Sequence, residues 1–283
     1  MSGQQPETPA EPAPGGIDTG VMHPARRYDY FLGGTTNFAA DRQSGDRMIS
    51  TFPGIRVGAL ENRRFLRRAV AHLVAEAGIR QFLDIGSGIP TSPNTHEVAQ
   101  AGAGDVSVVY VDNDPIVLAH AGELTAGEPS AGEPSGGGTT FIQADLREPG
   151  RILDHPDLRA TLDLSRPVAL MLVAVLHFFP DTGHAHRLVG SLVRALAPGS
   201  YLVMSHGTFD FLPPQAVAQL GHVATGESVH PRSKAEFAGF FDGLELIDPG
   251  IVPTPQWRAE NEPVPRPTAL EAGCYAAVAR IPG

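Results

Sequence analysis

Three short polar segments of the chain follow apolar stretches that predict buried strands. They hold two closely spaced glycines, then a carboxylate, then a second carboxylate. The positions are Gly86, Ser87, Gly88, Asp112, Asn113, Asp145 and Leu146. Glycines let the backbone turn sharply and approach a ligand without a Cβ in the way. A carboxylate after the second strand can accept hydrogen bonds from both hydroxyls of a ribose, and one after the third can accept from an adenine amino group. The combination predicts a nucleoside site.

Each segment also has a purely structural interpretation. Gly-x-Gly is common in turns, and a motif match is a hypothesis until its context is known. Asp112 and Asp114 can cap the helix that Pro115 begins, and Asp145 can belong to a surface turn. Asp114 stands directly before the proline and is the better cap, so Asp112 is the better ribose ligand. Only the three segments together favour an adenosine-containing ligand.

S-adenosylmethionine suits these segments better than NAD. A dinucleotide site usually has a third glycine three residues after the second, where the helix packs closely on the strand. That position is Thr91, preceded by Pro90, so a helix that binds pyrophosphate cannot begin in the usual way. A carboxylate after the third strand is also not part of the dinucleotide fingerprint.

Helical and strand patterns alternate along the part of the chain that would position these segments. Strands are predicted over residues 81–85, 106–111, 141–144, 168–176, 201–204, 244–252 and 274–281, and helices over 62–77, 95–101, 116–124, 184–196 and 233–241. The alternation predicts a Rossmann-like α/β domain with a seven-stranded, mostly parallel sheet. No helix is predicted between the last two strands, which indicates an antiparallel C-terminal edge pair. Ligands bind beyond the carboxyl ends of such strands, where the three segments would meet.

Two stretches of low complexity divide the chain. Residues 1–20 are rich in Pro, Gly, Ala and Glu, and predict a disordered tail because they cannot bury enough apolar surface. Residues 122–138 contain Ala-Gly-Glu-Pro-Ser twice and then three glycines, which predicts a flexible insertion between two elements. The predicted organisation is a helical cover over residues 21–60 and a binding domain over residues 61–283.

Two unusual blocks occur in the order expected of one protein family. The first comprises Ala25-Arg-Arg-Tyr-Asp-Tyr-Phe-Leu-Gly-Gly34 and residues 37–42, and the second Gln81-Phe-Leu-Asp-Ile-Gly-Ser-Gly-Ile-Pro-Thr91, residues 94–98 and residues 109–115. Over about residues 22–282 the chain resembles the actinobacterial S-adenosyl methyltransferase family, once catalogued as a domain of unknown function. The resemblance implies a class I methyltransferase fold with S-adenosylmethionine as cofactor. Carried over position by position, the seven strand-end residues match its cofactor-binding positions.

The first block is aromatic and contains paired glycines. One hypothesis makes it a lid over the cofactor and substrate, with Arg26 near a carboxylate and a tyrosine, Tyr28 or Tyr30, near the sulfonium. Asn37 is placed to cap a following helix and belongs to the same candidate lid. The alternative is a packed helical hairpin that covers one edge of the sheet.

Methyl transfer from a sulfonium is an in-line displacement, so the protein mainly aligns the reacting atoms and excludes water. A general base is needed only when the acceptor must lose a proton early. His177, at the end of the fourth predicted strand, is the candidate base, and His206, after the fifth, is the second. Both also suit a structural role. None of the 11 histidines stands in a His-Glu-x-x-His pattern, and no metal site is predicted.

Composition narrows the classes of function. A net charge of −10 repels the phosphates of nucleic acids and anionic membranes, so neither is a predicted partner. The longest apolar run, residues 168–179, is too short for a membrane helix. The single cysteine, Cys274, allows no intrachain disulfide and suits a reducing compartment. Residues 1–20 also lack a secretion-signal pattern, and together these features predict a cytoplasmic protein.

The predicted function is therefore that of an S-adenosylmethionine-dependent methyltransferase acting on a small-molecule acceptor. Two alternatives stay open: a module that holds S-adenosylmethionine without turning it over, and, less favoured, an NAD-dependent oxidoreductase. No pattern specifies the acceptor or an oligomeric state, because acceptor pockets are built from loops that fold analogy does not predict.

Overall fold

The computed structural model describes residues 17–124, 137–217 and 229–283 of the chain. Most of the predicted tail over residues 1–20 and of the predicted insertion over residues 122–138 lies outside the described residues. Within these ranges, no helix combines the length and the apolar character that a membrane crossing requires.

One mixed sheet organises the described residues. Its strands are β1 (Gln81–Ile85), β2 (Ser107–Asp112), β3 (Thr139–Gln143), β4 (Ala169–Val173), β5 (Tyr201–Gly207), β6 (Glu245–Leu246), β7 (Val252–Pro253) and β8 (Cys274–Arg280). The order is β3-β2-β1-β4-β5-β8-β6, and β7 also pairs with β8. Strands β1 to β5 are parallel, whereas β8 is antiparallel to β5, β6 and β7. The predicted Rossmann-like class with a mostly parallel sheet is confirmed.

The strand count differs from the prediction at the C-terminal edge. The single strand predicted over residues 244–252 is divided into β6 and β7, so the described sheet has eight strands and not seven. Between them the chain turns, with a hydrogen bond of 2.8 Å from the backbone N–H of Gly250 to the carbonyl of Ile247. Pro249 cannot donate a ladder hydrogen bond, which explains why the strand stops there.

The parallel strands are apolar on both faces because helices cover both. Along β1, Leu83 and Ile85 join one buried cluster, and Phe82 joins the other. The first cluster includes the inner face of α8 (Thr182–Arg194), and the second includes the inner face of α3 (Ile55–Ala75). Burial on both sides explains the continuous apolar runs of the sequence. It also makes the strand ends a rigid base for a site.

The other helices flank or connect the strands. They are α4 (Thr95–Gly102), α5 (Pro115–Leu124), α6 (Pro149–Leu153), α7 (Pro156–Thr161), α9 (Lys234–Ala238) and α10 (Ala269–Ala272). Helix α4 begins well beyond the glycine turn, where Asn94 and Glu97 form a capping box. The late start agrees with the Pro90 and Thr91 pair, which prevents a helix directly after the turn.

The N-terminal cover consists of α1 (Pro24–Leu32), α2 (Ala39–Thr51) and the first half of α3. Helix α3 begins seven residues earlier than the helix predicted over 62–77. Gly58 lets this first half approach α10, since a Cβ there would lie 2.5 Å from the carbonyl oxygen of Ala272. The helix runs without a break through residue 60, where the sequence placed the boundary between the cover and the binding domain, so α3 belongs to both.

Candidate active site

A cleft of about 440 Å³ opens at the carboxyl ends of β1 and β4. The sheet order reverses between these two neighbouring strands, which is where sheets of this type bind ligands. All seven strand-end residues predicted from the sequence line the cleft: Gly86, Ser87, Gly88, Asp112, Asn113, Asp145 and Leu146. The turns after β1, β2 and β3 therefore converge on one space.

The turn after β1 has a backbone shape that requires glycine. Gly86 and Gly88 have φ angles of 73° and 69°, in the left-handed region that residues with a Cβ rarely adopt. A Cβ at Gly86 would also lie 2.6 Å from Cγ2 of Val175. Between the glycines, the hydroxyl of Ser87 is buried and has no hydrogen-bond partner within the described residues. A buried polar atom without a partner is costly, so this hydroxyl has an unsatisfied capacity for a hydrogen bond.

Asp112 lies at the end of β2 and faces this turn. One carboxylate oxygen accepts a hydrogen bond of 2.8 Å from the backbone N–H of Gly88, and the other accepts one of 3.0 Å from the N–H of Asp114. Each carboxylate oxygen can accept a second hydrogen bond, so hydroxyl groups of a ligand can also be bound. Burial raises the pKa of Asp112 above its ordinary value.

Asp114 supplies the helix cap that the sequence offered as the alternative role for these acids. Its carboxylate accepts a hydrogen bond of 3.1 Å from the N–H of Ile116. The same side chain binds Nε of Arg26 at 3.2 Å and Nδ1 of His23 at 2.9 Å. Helix α1 is thus fastened to the loop directly beside Asp112.

Asp145 and Asn113 join the ends of β2 and β3. The Asn113 amide donates to one Asp145 oxygen at 3.3 Å, and the backbone N–H of Arg147 donates to the other at 2.8 Å. Burial opposes the charged form of Asp145, but these hydrogen bonds and the Arg147 side chain outweigh it and lower its pKa. The carboxylate is therefore ionised at neutral pH, and the buried side chain of Leu146 lies next to it in the wall of the cleft.

Two charged residues that the sequence analysis did not select complete the cleft. Asp84, at the end of β1, accepts a hydrogen bond of 2.7 Å from the Thr95 hydroxyl, and burial raises its pKa to about 6. Arg63, on α3, donates to the carbonyl oxygens of Pro93, at 2.7 Å, and of Thr91. Asp84 stands two residues before Gly86 and could have been found from that position. Arg63 has no local signal in the sequence, because a charged residue on a helix usually faces solvent.

A second cavity, of about 150 Å³, adjoins the cleft beneath the cover. Five residues line both spaces: Pro24, Tyr28, Asn62, Ala174 and Phe178. The walls of the second cavity come from α1, α2 and α3 on one side and from the segments after β4, after β5 and before β8 on the other. The two spaces are therefore neighbours that share this part of their walls.

A chain of hydrogen bonds fixes the place where they meet. The backbone N–H of Ala174 donates to the Ser205 hydroxyl at 3.0 Å, and that hydroxyl donates to the side-chain oxygen of Asn62. The Asn62 amide donates to the Tyr28 hydroxyl, which donates to the carbonyl of Ala59, both at 3.0 Å. Burial raises the pKa of Tyr28 to about 12, so the phenol stays neutral. Ala174 has a φ of 57°, a conformation that non-glycine residues reach mainly at constrained sites.

The two candidate histidines have different surroundings. His177 lines the second cavity, and its Nδ1 is buried without a hydrogen-bond partner among the described residues. The ring of His206 bonds on both sides: Nδ1 to the carbonyl of Gly207 at 2.8 Å and Nε2 to Arg232 at 2.7 Å. Burial lowers the pKa of His206 to about 4. These contacts give His206 a structural role and leave His177 as the candidate base.

Of the four predicted lid residues, one lines the cleft and the cavity, and the other three make contacts elsewhere. Tyr28 stands where the cleft and the cavity meet. The carboxylate beside Arg26 is that of Asp114, and the Tyr30 hydroxyl donates to Asp46 at 2.7 Å. Asn37 donates to Asp29 at 2.8 Å. Tyr30 and Asn37 therefore hold the cover together, and Arg26 fastens it to the loop after β2. None of these three residues lines either space.

The helix cap assigned to Asn37 is provided by another residue. Helix α2 has Phe38 as its N-cap, and the carboxylate of Asp41 accepts a hydrogen bond of 2.9 Å from the Phe38 N–H. In the described ranges there is no group of three or more histidine, cysteine or acidic side chains that could hold a metal ion.

Known proteins resemble the chain over nearly its whole length. A family model described as S-adenosyl methyltransferase matches residues 10–282. The crystal structure of a DUF574 family protein from Streptomyces avermitilis has 45% sequence identity and a TM-score of 0.84, and the match covers 94% of this chain and 99% of that one. The structure of a candidate methyltransferase from Thermobifida fusca has 42% identity and a TM-score of 0.85, with 95% and 98% covered.

More distant structures share the fold alone. An O-methyltransferase family protein from Burkholderia thailandensis has 15% identity and a TM-score of 0.51, and the match covers 81% of this chain and 58% of that one. No curated protein matches the sequence.

Proposed function

Because the chain belongs to the S-adenosyl methyltransferase family, we propose that its cleft binds S-adenosylmethionine through the strand-end residues and that the second cavity receives the methyl acceptor. Membership confirms the resemblance, which is carried by residues 25–34, 37–42, 81–91, 94–98 and 109–115. The protein is an S-adenosylmethionine-dependent methyltransferase. The observation that carries the residue assignment is the convergence of the glycine turn, Asp112 and Asp145 on one cleft.

The adenosine half of the cofactor would lie across the ends of β1, β2 and β3. Asp112 has lone pairs left to accept from the two ribose hydroxyls. Asp145, ionised and beside Leu146, would accept from the adenine amino group while Leu146 packs on the ring. The partnerless hydroxyl of Ser87 adds a further polar contact in the same turn.

The amino-acid half would be bound by the charged pair at the α3 side of the cleft. An α-carboxylate requires a cation, and Arg63 can supply charge-assisted hydrogen bonds. An α-ammonium requires an anion, which Asp84 supplies, since with a pKa of about 6 it is mostly ionised at pH 7. Opposite charges at one end of the cleft match the zwitterion of an amino acid.

When bound, S-adenosylmethionine supplies an electrophilic methyl group on a sulfonium. The protein's own contribution is alignment and exclusion of water. The hydrogen-bonded chain from Ala174 through Ser205 and Asn62 to Tyr28 fixes the wall that the two spaces share. The start of helix α1 is joined to Asp114 through His23, and His23 and Pro24 form part of the wall of the cleft.

We propose a small-molecule acceptor because the second cavity is no larger than about 150 Å³. The net charge of −10 argues against a nucleic acid substrate. A cytoplasmic location is also a proposal; it rests on a composition with one cysteine, which allows no intrachain disulfide.

The test is binding of S-adenosylhomocysteine to Asp112→Asn, measured by isothermal titration calorimetry. The amide retains one acceptor oxygen and places an N–H₂ group opposite a backbone N–H, so the dissociation constant should rise about tenfold or more. Asp242→Asn is the matched control, because Asp242 is exposed and lines neither space. This variant should bind S-adenosylhomocysteine with the wild-type affinity. NAD should not compete.

An unchanged affinity in Asp112→Asn would contradict the ribose assignment. Competition by NAD at similar concentrations would instead favour a dinucleotide site.

A further inference from the structure

The second cavity has the size and lining of a site for one small ring. Its volume is about 150 Å³, and an apolar cavity of about that volume binds benzene. The lining is dominated by apolar side chains, among them Phe31, Met48, Phe52, Ile55, Phe178 and Phe209. Such a surface gains from contact with a flat apolar ligand and has little to offer a sugar or a polyol.

The charges around the cavity disfavour a cationic ligand. None of the described residues that line it is an aspartate or a glutamate. Arg27 does line it; this side chain is buried, and one guanidinium nitrogen donates to the Ser44 hydroxyl at 2.9 Å. An ammonium group would find no carboxylate among the described residues that line the cavity, which is costly in a buried site. A neutral ligand on which negative charge develops is favoured instead.

His177 contributes one unpaired polar atom to the wall of this apolar space. Its Nδ1 is buried and has no hydrogen-bond partner among the described residues. Gly207 also lines the cavity, and a Cβ added at Gly207 would lie 4.0 Å from that nitrogen. Burial, reinforced by the nearby charges of His206, Arg27 and Arg232, holds the pKa of His177 well below its usual range. The neutral ring has one donor and one acceptor nitrogen, and a hydroxyl group can pair with such a ring.

We propose that the acceptor is a compact, uncharged, single-ring compound with an acidic hydroxyl, a phenol or an enol, that pairs with Nδ1 of His177 and is methylated on oxygen. This inference rests on the proposed function. The acceptor oxygen forms its bond to the methyl carbon as the carbon–sulfur bond breaks and leaves its electron pair on sulfur. The hydroxyl proton passes to Nδ1 of His177 and from there to solvent. Arg27 stabilises the negative charge that develops on the oxygen.

The experiment measures the binding of four single-ring probes to the full chain saturated with S-adenosylhomocysteine. The probes are p-cresol, toluene, benzylamine and benzoate, compared by calorimetry at pH 7.5. We expect p-cresol to bind about fivefold tighter than toluene, the ratio that one hydrogen bond to a neutral partner gives. We expect benzylamine, which is cationic at this pH, to bind at least about tenfold more weakly than p-cresol.

His177→Phe tests the role of the ring nitrogen. This variant should bind p-cresol and toluene equally, while its affinity for S-adenosylhomocysteine stays unchanged. If it does not fold, His177→Leu, with a smaller side chain, carries the same expectation. His184→Phe is the matched control, because His184 lines neither space and its loss should leave the fivefold ratio intact.

Several results would overturn the substrate class. The wild type could fail to bind p-cresol at millimolar concentration, or bind p-cresol and toluene equally. It could bind benzylamine or benzoate more tightly than p-cresol. Finally, the fivefold ratio of the p-cresol and toluene affinities could persist after the loss of His177. A wild type that does not bind S-adenosylhomocysteine would instead contradict the proposed function, so the two failures are distinguishable.

Discussion

At the scale of single residues, Gly86 shows how tightly the cleft is built. Its φ of 73° suits glycine. Its α-carbon faces Val175, in the segment that follows β4, and β4 is the neighbour of β1 in the sheet. The two sides of the point where the sheet order reverses are therefore in direct contact at the base of the cleft. A methyl group added there would press on the Val175 side chain, with its carbon 2.6 Å from Cγ2.

Gly86→Ala should lower the free energy of unfolding by about 1–3 kcal/mol, because it combines an unfavourable φ with a steric contact. Urea denaturation measures the loss. Gly150→Ala is the control, since Gly150 lies in α6 and a Cβ there meets nothing within 4 Å. The double variant Gly86→Ala/Val175→Ala should recover part of the stability. No recovery would show that the contact with Val175 is not the cause.

The buried carboxylate of Asp84 should make stability depend on pH. Burial raises its pKa from 3.8 to about 6, so the folded state binds the proton more tightly than the unfolded state. The ionised form therefore destabilises the fold above pH 6, and this cost fades as the pH falls from 6 to 4. Asp84→Asn keeps an acceptor for Thr95 without the charge. Its advantage over the wild type should be roughly 3 kcal/mol above pH 6 and vanish near pH 4.

Urea denaturation from pH 4 to pH 8 checks this expectation. Asp242→Asn, at an exposed position, is the control and should follow the wild type at every pH. An advantage of Asp84→Asn that is the same at all pH values would contradict a raised pKa.

At the scale of elements, helix α1 depends on Asp114 for its position over the cleft. Asp114→Asn keeps an oxygen to cap Ile116 but loses the charge that holds Arg26 and His23. We expect the α1 amides to exchange hydrogen faster and S-adenosylhomocysteine to dissociate about three- to tenfold faster, because buried pairs are costly to break. Hydrogen exchange by mass spectrometry and stopped-flow displacement measure the two effects.

Asp46→Asn is the matched control, because Asp46 binds Tyr30 at a position that lines neither space. Unchanged exchange and dissociation in Asp114→Asn would mean that α1 is held by its apolar contacts alone.

The parallel strands and their polar ends could be predicted because their signals are local. The apolar runs of the first three strands stop at glycine or aspartate, and the sheet order brings those ends together. The role of Arg63 could not be predicted, because it depends on α3 lying across the cleft. The division of the sixth predicted strand was missed although Asp248-Pro249-Gly250 is a turn signal, because the run on either side of it is mostly apolar. The cap of α2 was missed by one residue, since Asp41 reaches back to the Phe38 backbone.

At the scale of the whole molecule, the cover and the sheet should unfold together, because α3 is part of both. The sequence has one tryptophan and one cysteine, which report on different regions. Trp257 packs against Phe65 in the second half of α3, with ring centroids 5.4 Å apart. Cys274 lines the second cavity under the cover. The fluorescence change of Trp257 and the thiol reactivity of Cys274 should have the same urea midpoint.

S-adenosylhomocysteine at 100 times its dissociation constant should raise the unfolding free energy by about 2.7 kcal/mol and shift both midpoints together. A thiol that becomes reactive at lower urea than the fluorescence change would show that the cover opens as a separate unit.

The unbroken course of α3 through residue 60 limits how the molecule can be rearranged. A chimera that exchanges N-terminal segments between relatives at that boundary would cut the helix in its second turn and separate Asn62 from Tyr28, the two residues that bridge the cleft and the cavity. Exchange of acceptor preference by grafting therefore has to carry the whole segment from α1 to the end of α3, together with the residues of the sheet that it covers.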